Sequence, residues 1–277
     1  MKSRLRTLAR YEGKFCIGLA ALALSLSLAS PPALAEVSDI YWGTLQNTYY
    51  PGKNIAAGPF IQLTAPSRAD SGAQVPFAFS IDYPMTADKY IKSVSVFVDA
   101  NPVPLAAIFH FNPSSGKAEI STRIRLESDS LVRVVAETND GQLYMRTIPV
   151  RAEGGCGGAV GGDEAVAKAG AGKMKLALEK PLKIGRFSHV KLLIKHPMFT
   201  GLQRDLVTQG FRPAFFINSI EAKYNGKTVM QAATFIGISE DPNIQFGFIP
   251  DQPGTLELII KDNEGGTFNA AIPVKEG

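Results

Sequence analysis

The chain has 277 residues, with 29 Lys+Arg against 25 Asp+Glu and two cysteines. Five of the basic residues and one acidic residue lie in the first 35, so the remainder holds 24 of each, and its near-zero charge offers no electrostatic footprint for nucleic acid. Without those 35 residues, 242 remain, enough for two modest domains with cores of their own, and Cys156 as their single cysteine excludes an internal disulfide.

The first 35 residues read as an export signal. Lys2, Arg4, Arg6, Arg10 and Lys14 precede an apolar run over 17–29, and Ser30-Pro31-Pro32 leads to the small-residue pattern Ala33-Leu34-Ala35. Cleavage is expected after Ala35. The 13 residues of the run would span about 20 Å as a helix, short of a hydrocarbon layer of roughly 30 Å, so no stable membrane insertion is expected. The basic stretch has no adjacent Arg-Arg pair, which favours the general secretory route over the twin-arginine route.

A short helix is predicted over 38–50, where Trp42, Leu45 and Tyr49 fall at i, i+3 and i+7, with Ser38 or Asp39 available as a cap and Pro51-Gly52 as a stop. Its apolar stripe should dock on the sheet that follows. From Phe60 the pattern changes to alternating strands, predicted over 74–80, 91–98, 105–111, 117–125, 131–138 and 144–150. Turn residues separate them at Asp82-Tyr83-Pro84, Asn101-Pro102, Asn112-Pro113-Ser114 and Asn139-Asp140-Gly141. Val94, Val96 and Val98 share one face of their strand, the pattern of an antiparallel sandwich with one packed and one wetter side.

Residues 159–172 are rich in glycine and alanine and read as a flexible linker. A second strand-rich unit follows, with strands predicted over 173–178, 189–195, 216–224, 228–233, 243–248, 254–261 and 267–274, and Asn225-Gly226 is its strongest hairpin signal. The halves echo each other. Tyr83-Pro84-Met85 answers to His196-Pro197-Met198, offset by 113, while Asn139-Asp140-Gly141 and Ile148-Pro149-Val150 answer to Asn263-Glu264-Gly265 and Ile272-Pro273-Val274, offset by 124. An 11-residue excess therefore lies in the second half, and the chain is read as all-β, two related sandwiches in tandem behind a short helix.

Between the halves stands Glu153-Gly154-Gly155-Cys156-Gly157-Gly158. Four glycines around one thiol read as a mobile, exposed group, because flanks without side chains give a buried cysteine nothing to pack against and make the segment costly to hold still. A metal site would need convergent ligands, and His110, His189 and His196 have no ligand-like spacing. A nucleophilic enzyme would need a positioned base and an oxyanion hole, which a glycine arm cannot hold in register. The arm can instead enter another protein's site: from Arg151 to Cys156 its extended reach is roughly 16 Å. The competing reading is an interaction module whose lone cysteine forms an intermolecular disulfide.

Around Gly154-Gly155-Cys156-Gly157-Gly158 the chain resembles the sulfur-carrier proteins SoxY and SoxZ of the periplasmic thiosulfate-oxidising system, fused in that order, and most of all the SoxYZ-like carriers associated with quinoprotein dehydrogenases. Ser121-Thr122-Arg123-Ile124-Arg125-Leu126 and Phe109-His110-Phe111-Asn112-Pro113 support the likeness. It implies a SoxY-like domain over 36–158, a linker over 159–172 and a SoxZ-like domain over 173–277, each domain an immunoglobulin-like sandwich. It implies that Cys156 binds thiosulfate-derived sulfur covalently, that Gly154, Gly155, Gly157 and Gly158 let it thread into partner sites, and that the chain has no catalytic residues, metal or cofactor of its own. The implied partners are a c-type cytochrome and other sulfur-oxidation enzymes, or a quinoprotein dehydrogenase system, in the periplasm.

Other residues read less sharply. Met198 and Phe199, and the run Arg212-Pro213-Ala214-Phe215-Phe216, are packed turn residues or a partner surface within the 11-residue excess. His110 reads as a hydrogen-bonded packing residue. Arg123, Arg125, Arg133 and Arg146 read as solvent-face charges, with the alternative that some gather near the arm and steady an anionic adduct.

Overall fold

The computed structural model describes residues Val37–Gly277; the export signal expected over 1–35 lies outside the described residues. Helix α1 (Trp42–Tyr49) precedes β1 (Ile55–Ala57) and β2 (Ile61–Thr64). The first half continues through β3 (Val75–Ile81), β4 (Ile91–Val98), β5 (Leu105–His110), β6 (Ala118–Ile124), β7 (Ser130–Thr138) and β8 (Leu143–Val150). A second short helix, α2 (Glu164–Ala169), lies between the halves. The second half holds β9 (Met174–Leu178), β10 (Ser188–Ile194), β11 (Ile217–Tyr224), β12 (Lys227–Thr234), β13 (Asn243–Phe248), β14 (Gly254–Asp262) and β15 (Thr267–Val274).

These strands form two largely antiparallel sheets. One runs β1-β8-β7-β4-β5-β12-β11-β14-β15 and the other β2-β3-β6-β13-β10-β9. Alternation decides which side chains turn inward: Val75, Phe77, Phe79 and Ile81 of β3 are buried while Pro76 between them is exposed. Phe79 meets Phe109 of the other sheet at a centroid distance of 5.8 Å, within a core that draws buried residues from both halves. The β1–β8 pair is parallel, the exception to the antiparallel pattern.

The two halves are not independent stacks joined by a string. Both sheets pass through the junction, by antiparallel pairing of β5 with β12, from Gln231↔His110 to Thr234↔Ala107, and of β6 with β13 at Gln245↔Ser121 and Phe246↔Ile120. Apart from β1, equivalent strands take mirrored places on either side: β8-β7-β4-β5 faces β12-β11-β14-β15, and β2-β3-β6 faces β13-β10-β9. The internal repeat is thus an arrangement in space. The excess of the second half lies between β10 and β11, where 195–216 replaces the shorter 82–90 between β3 and β4.

Helix α1 docks as its stripe predicts, on the outer face of β4. Trp42, Tyr49 and Tyr50 stand edge-on to Phe97 with centroids 6.1, 5.0 and 6.2 Å away, so β4 is buried on both faces from Ser93 to Val98. The predicted cap is not used: Tyr41 holds the N-cap position without a side-chain bond. Asp39 instead pairs with Arg133, whose Nε donates to Asp99 Oδ2 at 2.7 Å and whose guanidinium lies 4.7 Å over the Trp42 ring. Arg133 is therefore a buried cation tying the helix to the sheet, not a solvent-face charge, because burial under α1 demands both its carboxylates.

Since paired strands and a common core join the halves, cutting the backbone within 159–172 should leave them together. A protease site inserted there should yield two fragments that co-elute on size exclusion under native conditions, and separation of the fragments would contradict the continuous sheets.

Candidate functional site

Beyond β8 the chain is stitched to the segments before β3 and β7. Ala69 N donates to Arg151 O at 2.9 Å, Gly72 N to Glu153 O at 3.2 Å, and Ala152 N to Asp129 Oδ1 at 3.1 Å. The glycine-flanked cysteine follows and lies in a cleft. One wall is the end of β6 and the residues after it, Arg125, Leu126 and Glu127; the other is the 195–216 loop of the second half.

The arm is held by its backbone. Gly154 N donates to Glu127 O at 2.9 Å and Gly155 N to Leu126 O at 3.0 Å. Cys156 N and Gly157 N both donate to Glu127 Oε2, at 2.6 and 3.1 Å. Arg125 Nη1 donates to Gly155 O at 3.0 Å and Thr200 Oγ1 to Cys156 O at 2.8 Å. No hydrogen bond from a described residue reaches the sulfur. Two glycines are needed for this pose: Gly154 has φ +73°, in the left-handed region, and a Cβ on Gly155 would collide with the carbonyl oxygens of Gly72 and Leu126. At Gly158 a Cβ would meet only Gly154 O, at an ordinary 3.6 Å.

Cys156 is free and 1% exposed, which overturns the expected exposure of its thiol. The physical reason is that the slim flanks, read as freedom, also let the backbone approach its neighbours closely enough to satisfy its own polar groups, and sequence proximity shows neither wall. Burial pushes the thiol up to about 11, the Glu127 carboxylate adds to the shift and Arg125 partly opposes it.

The 195–216 loop is itself tightly organised. Arg212 pairs with Asp205, lies 4.8 Å over the Phe199 ring and donates to Gly162 O at 3.0 Å. Val160 N donates to Arg204 O at 2.9 Å and Leu206 N to Val160 O at 3.0 Å, so the segment after the arm is bonded to the loop. His196 at its base is fully buried, accepts from Met198 N at 3.1 Å through Nδ1 and stacks on Phe215 at 4.3 Å; burial pushes it down to about 4. Met198 and Phe199 thus pack under the loop, while Thr200 and the Met198 carbonyl face the arm's contacts.

Of the four arginines, Arg125 alone holds the arm. It is 3% exposed, and its guanidinium donates to the carbonyls of Gly155, Met198 and Ile238. Alternation placed it beside Arg123 on a solvent face, but β6 ends at Ile124, so the alternation does not extend to it. His110 is exposed at the end of β5, not packed. Glu127 and Thr200 were missed, since single polar residues carry no local pattern; Arg125 and Leu126 at least fall within the run 121–126 that supports the family likeness. Among the described residues no group of three or more His, Cys, Asp or Glu is placed to hold a metal.

Two outcomes follow for the thiol. Gly155→Ala should break the docked pose and speed alkylation of Cys156 roughly tenfold or more, since such overpacking costs about 1–3 kcal/mol, whereas Gly158→Ala should leave the rate near that of the natural chain; equal rates for both variants would contradict the close approach at Gly155. The docked arm favours the neutral thiol, so docking is at full strength below the ordinary value of 9.0 and weakens as pH climbs toward about 11. The pH-rate profile of alkylation should accordingly rise late, with about a hundredfold less thiolate at neutral pH than an ordinary cysteine supplies.

Comparison with known proteins matches residues 46–156 to the family model of sulfur oxidation protein SoxY and residues 176–273 to that of sulphur oxidation protein SoxZ. No curated protein matches. Among solved structures, the sulfur carrier protein SoxY from Chlorobium limicola f thiosulfatophilum is 27% identical, covering 40% of this chain and 91% of its own, with a TM-score of 0.35. A superoxide reductase (neelaredoxin) from Ignicoccus hospitalis is 13% identical, covering 34% and 80%, with a TM-score of 0.31. Members of these families are non-catalytic carriers, typically periplasmic, that work with the enzymes of a sulfur-oxidising system. With a SoxY domain and a SoxZ domain in one polypeptide, the chain belongs to the SoxYZ sulfur-carrier family as a fusion of its two components.

Proposed function

We propose that this chain is a periplasmic carrier that holds sulfur-oxidation intermediates on Cys156, with the arm docked when idle and turned out to meet its partner enzymes. The observation that carries this reading is that the arm is bound through backbone groups, while no hydrogen bond from a described residue reaches the sulfur. Such an arrangement stores the thiol without engaging its chemistry. It also disfavours the disulfide-dimer alternative, for which the sulfur would have to lie open to a second molecule.

The energetics favour a reversible arm. Each of the backbone bonds contributes about 0.5–1.5 kcal/mol net, because water replaces it on release. Against this, every ordered arm residue regains roughly 1–2 kcal/mol of conformational freedom, glycine the most. The two sides are of similar size, so docking holds the arm without locking it. Released, Gly157 and Gly158 give the sulfur slim flanks for a narrow site.

In this role a c-type cytochrome partner joins thiosulfate to the thiolate: the new S–S bond forms between Cys156 and the terminal sulfur, and two electrons pass to the cytochrome. Hydrolase and dehydrogenase partners then act on the bound group; a quinoprotein dehydrogenase system is the alternative setting. Domain limits of 36–158 and 173–277, each an immunoglobulin-like sandwich, and a linker over 159–172 complete the reading. The cargo is tested by intact-mass measurement of protein isolated from the periplasm during thiosulfate turnover. Reducible adducts of about 32 Da for one sulfur or about 112 Da for thiosulfate are expected on Cys156 and lost in Cys156→Ser; a bare thiol throughout turnover would sink the carrier reading.

A further inference from the structure

Glu127 sets a carboxylate against the stretch of backbone that carries the cargo atom. Its Oε2 accepts from Cys156 N and Gly157 N, and its Oε1 lies 3.3 Å from where a Cβ on Gly157 would stand. The sulfur beside it is 1% exposed, so water can do little to screen a second negative charge there. Among the described residues, the charged groups that act on the sulfur are Glu127 and Arg125. Arg125 offers limited compensation: its guanidinium is committed to carbonyls of the arm, the 195–216 loop and Ile238, and it also feels Glu240.

Resting on the carrier reading above, we propose that Glu127 makes docking selective for charge: an empty, neutral Cys156 lies in the cleft, and an anionic group attached to its sulfur turns the arm out. The cargo of a sulfur oxyanion carrier is negative, so loading itself would present the arm. An unloaded carrier would hide its thiol from partners that act on loaded ones. Glu127 is then a positioning residue with two parts to play, gripping the arm's N–H groups and repelling a like charge on the sulfur.

Two adducts of nearly the same size separate charge from bulk. Cys156 is alkylated to completion with iodoacetate, leaving a carboxymethyl anion, or with iodoacetamide, leaving its neutral amide, and hydrogen exchange is followed at the arm amides 154–157. The carboxymethyl arm should exchange about tenfold faster or more than the carboxamidomethyl arm, because an unscreened like charge acts only on the first. In Glu127→Gln, which keeps an acceptor for the N–H groups, the ratio should fall toward unity. Equal exchange for the two adducts in the natural chain would overturn the proposal by showing that size alone governs the arm, and a ratio that survives in Glu127→Gln would overturn the assignment to Glu127. The comparison in the natural chain stands even if the variant fails to fold. Neither adduct is a sulfur cargo, so this result reads independently of whether the carrier test succeeds.

Discussion

Everything at the thiol depends on the pairing of β5 with β12 and of β6 with β13. A strand edge left open exposes a row of N–H and C=O groups, and here each half closes the other's edge. Side chains seal the same seam, with Asn112 Nδ2 donating to Thr228 O at 2.8 Å and Ser115 Oγ to Val229 O at 2.6 Å. Because the halves meet in this register, the 195–216 loop of the second lies over the arm of the first. Without the seam the cleft would have one wall.

The docked arm shows how a protein can store a reactive atom without using it. Catalytic cysteines are gripped at the sulfur by a base and are poised as thiolates. Cys156 is gripped at the amides and carbonyls around it, and burial keeps its proton on. The glycines are accordingly not equivalent. Gly154 and Gly155 have conformations or contacts that only glycine meets in the docked pose, and a Cβ on Gly157 would stand a tight 3.3 Å from Glu127 Oε1, while Gly158 is slim for reasons the docked pose does not require. One short motif thus answers to two geometries.

Much of the β framework is legible without coordinates, since alternation and turn residues are local. The strands from β3 onward fall where the pattern puts them within a residue or so, and the offset between 113 and 124 locates the enlarged loop before its purpose is visible. The two earliest strands were missed. β1 and β2 have three and four residues, too few for a period to show, and β1 is fixed by a parallel pairing with the distant β8. Arg125 shows the same limit at the site: its strand ends one residue before it, and its bonds reach residues 30 and 73 positions away.

Taken alone, the residues determined the all-β character, the repeat, and the singular thiol with its glycine flanks, because each is written in spacing or composition along a short stretch. Only the tertiary structure decided that the thiol lies buried, that Glu127 and Arg125 hold it, and that a loop more than forty positions later roofs the cleft through Thr200. Those facts rest on which backbone groups meet across two sheets, and a hydrogen bond between distant segments leaves no periodic trace in either.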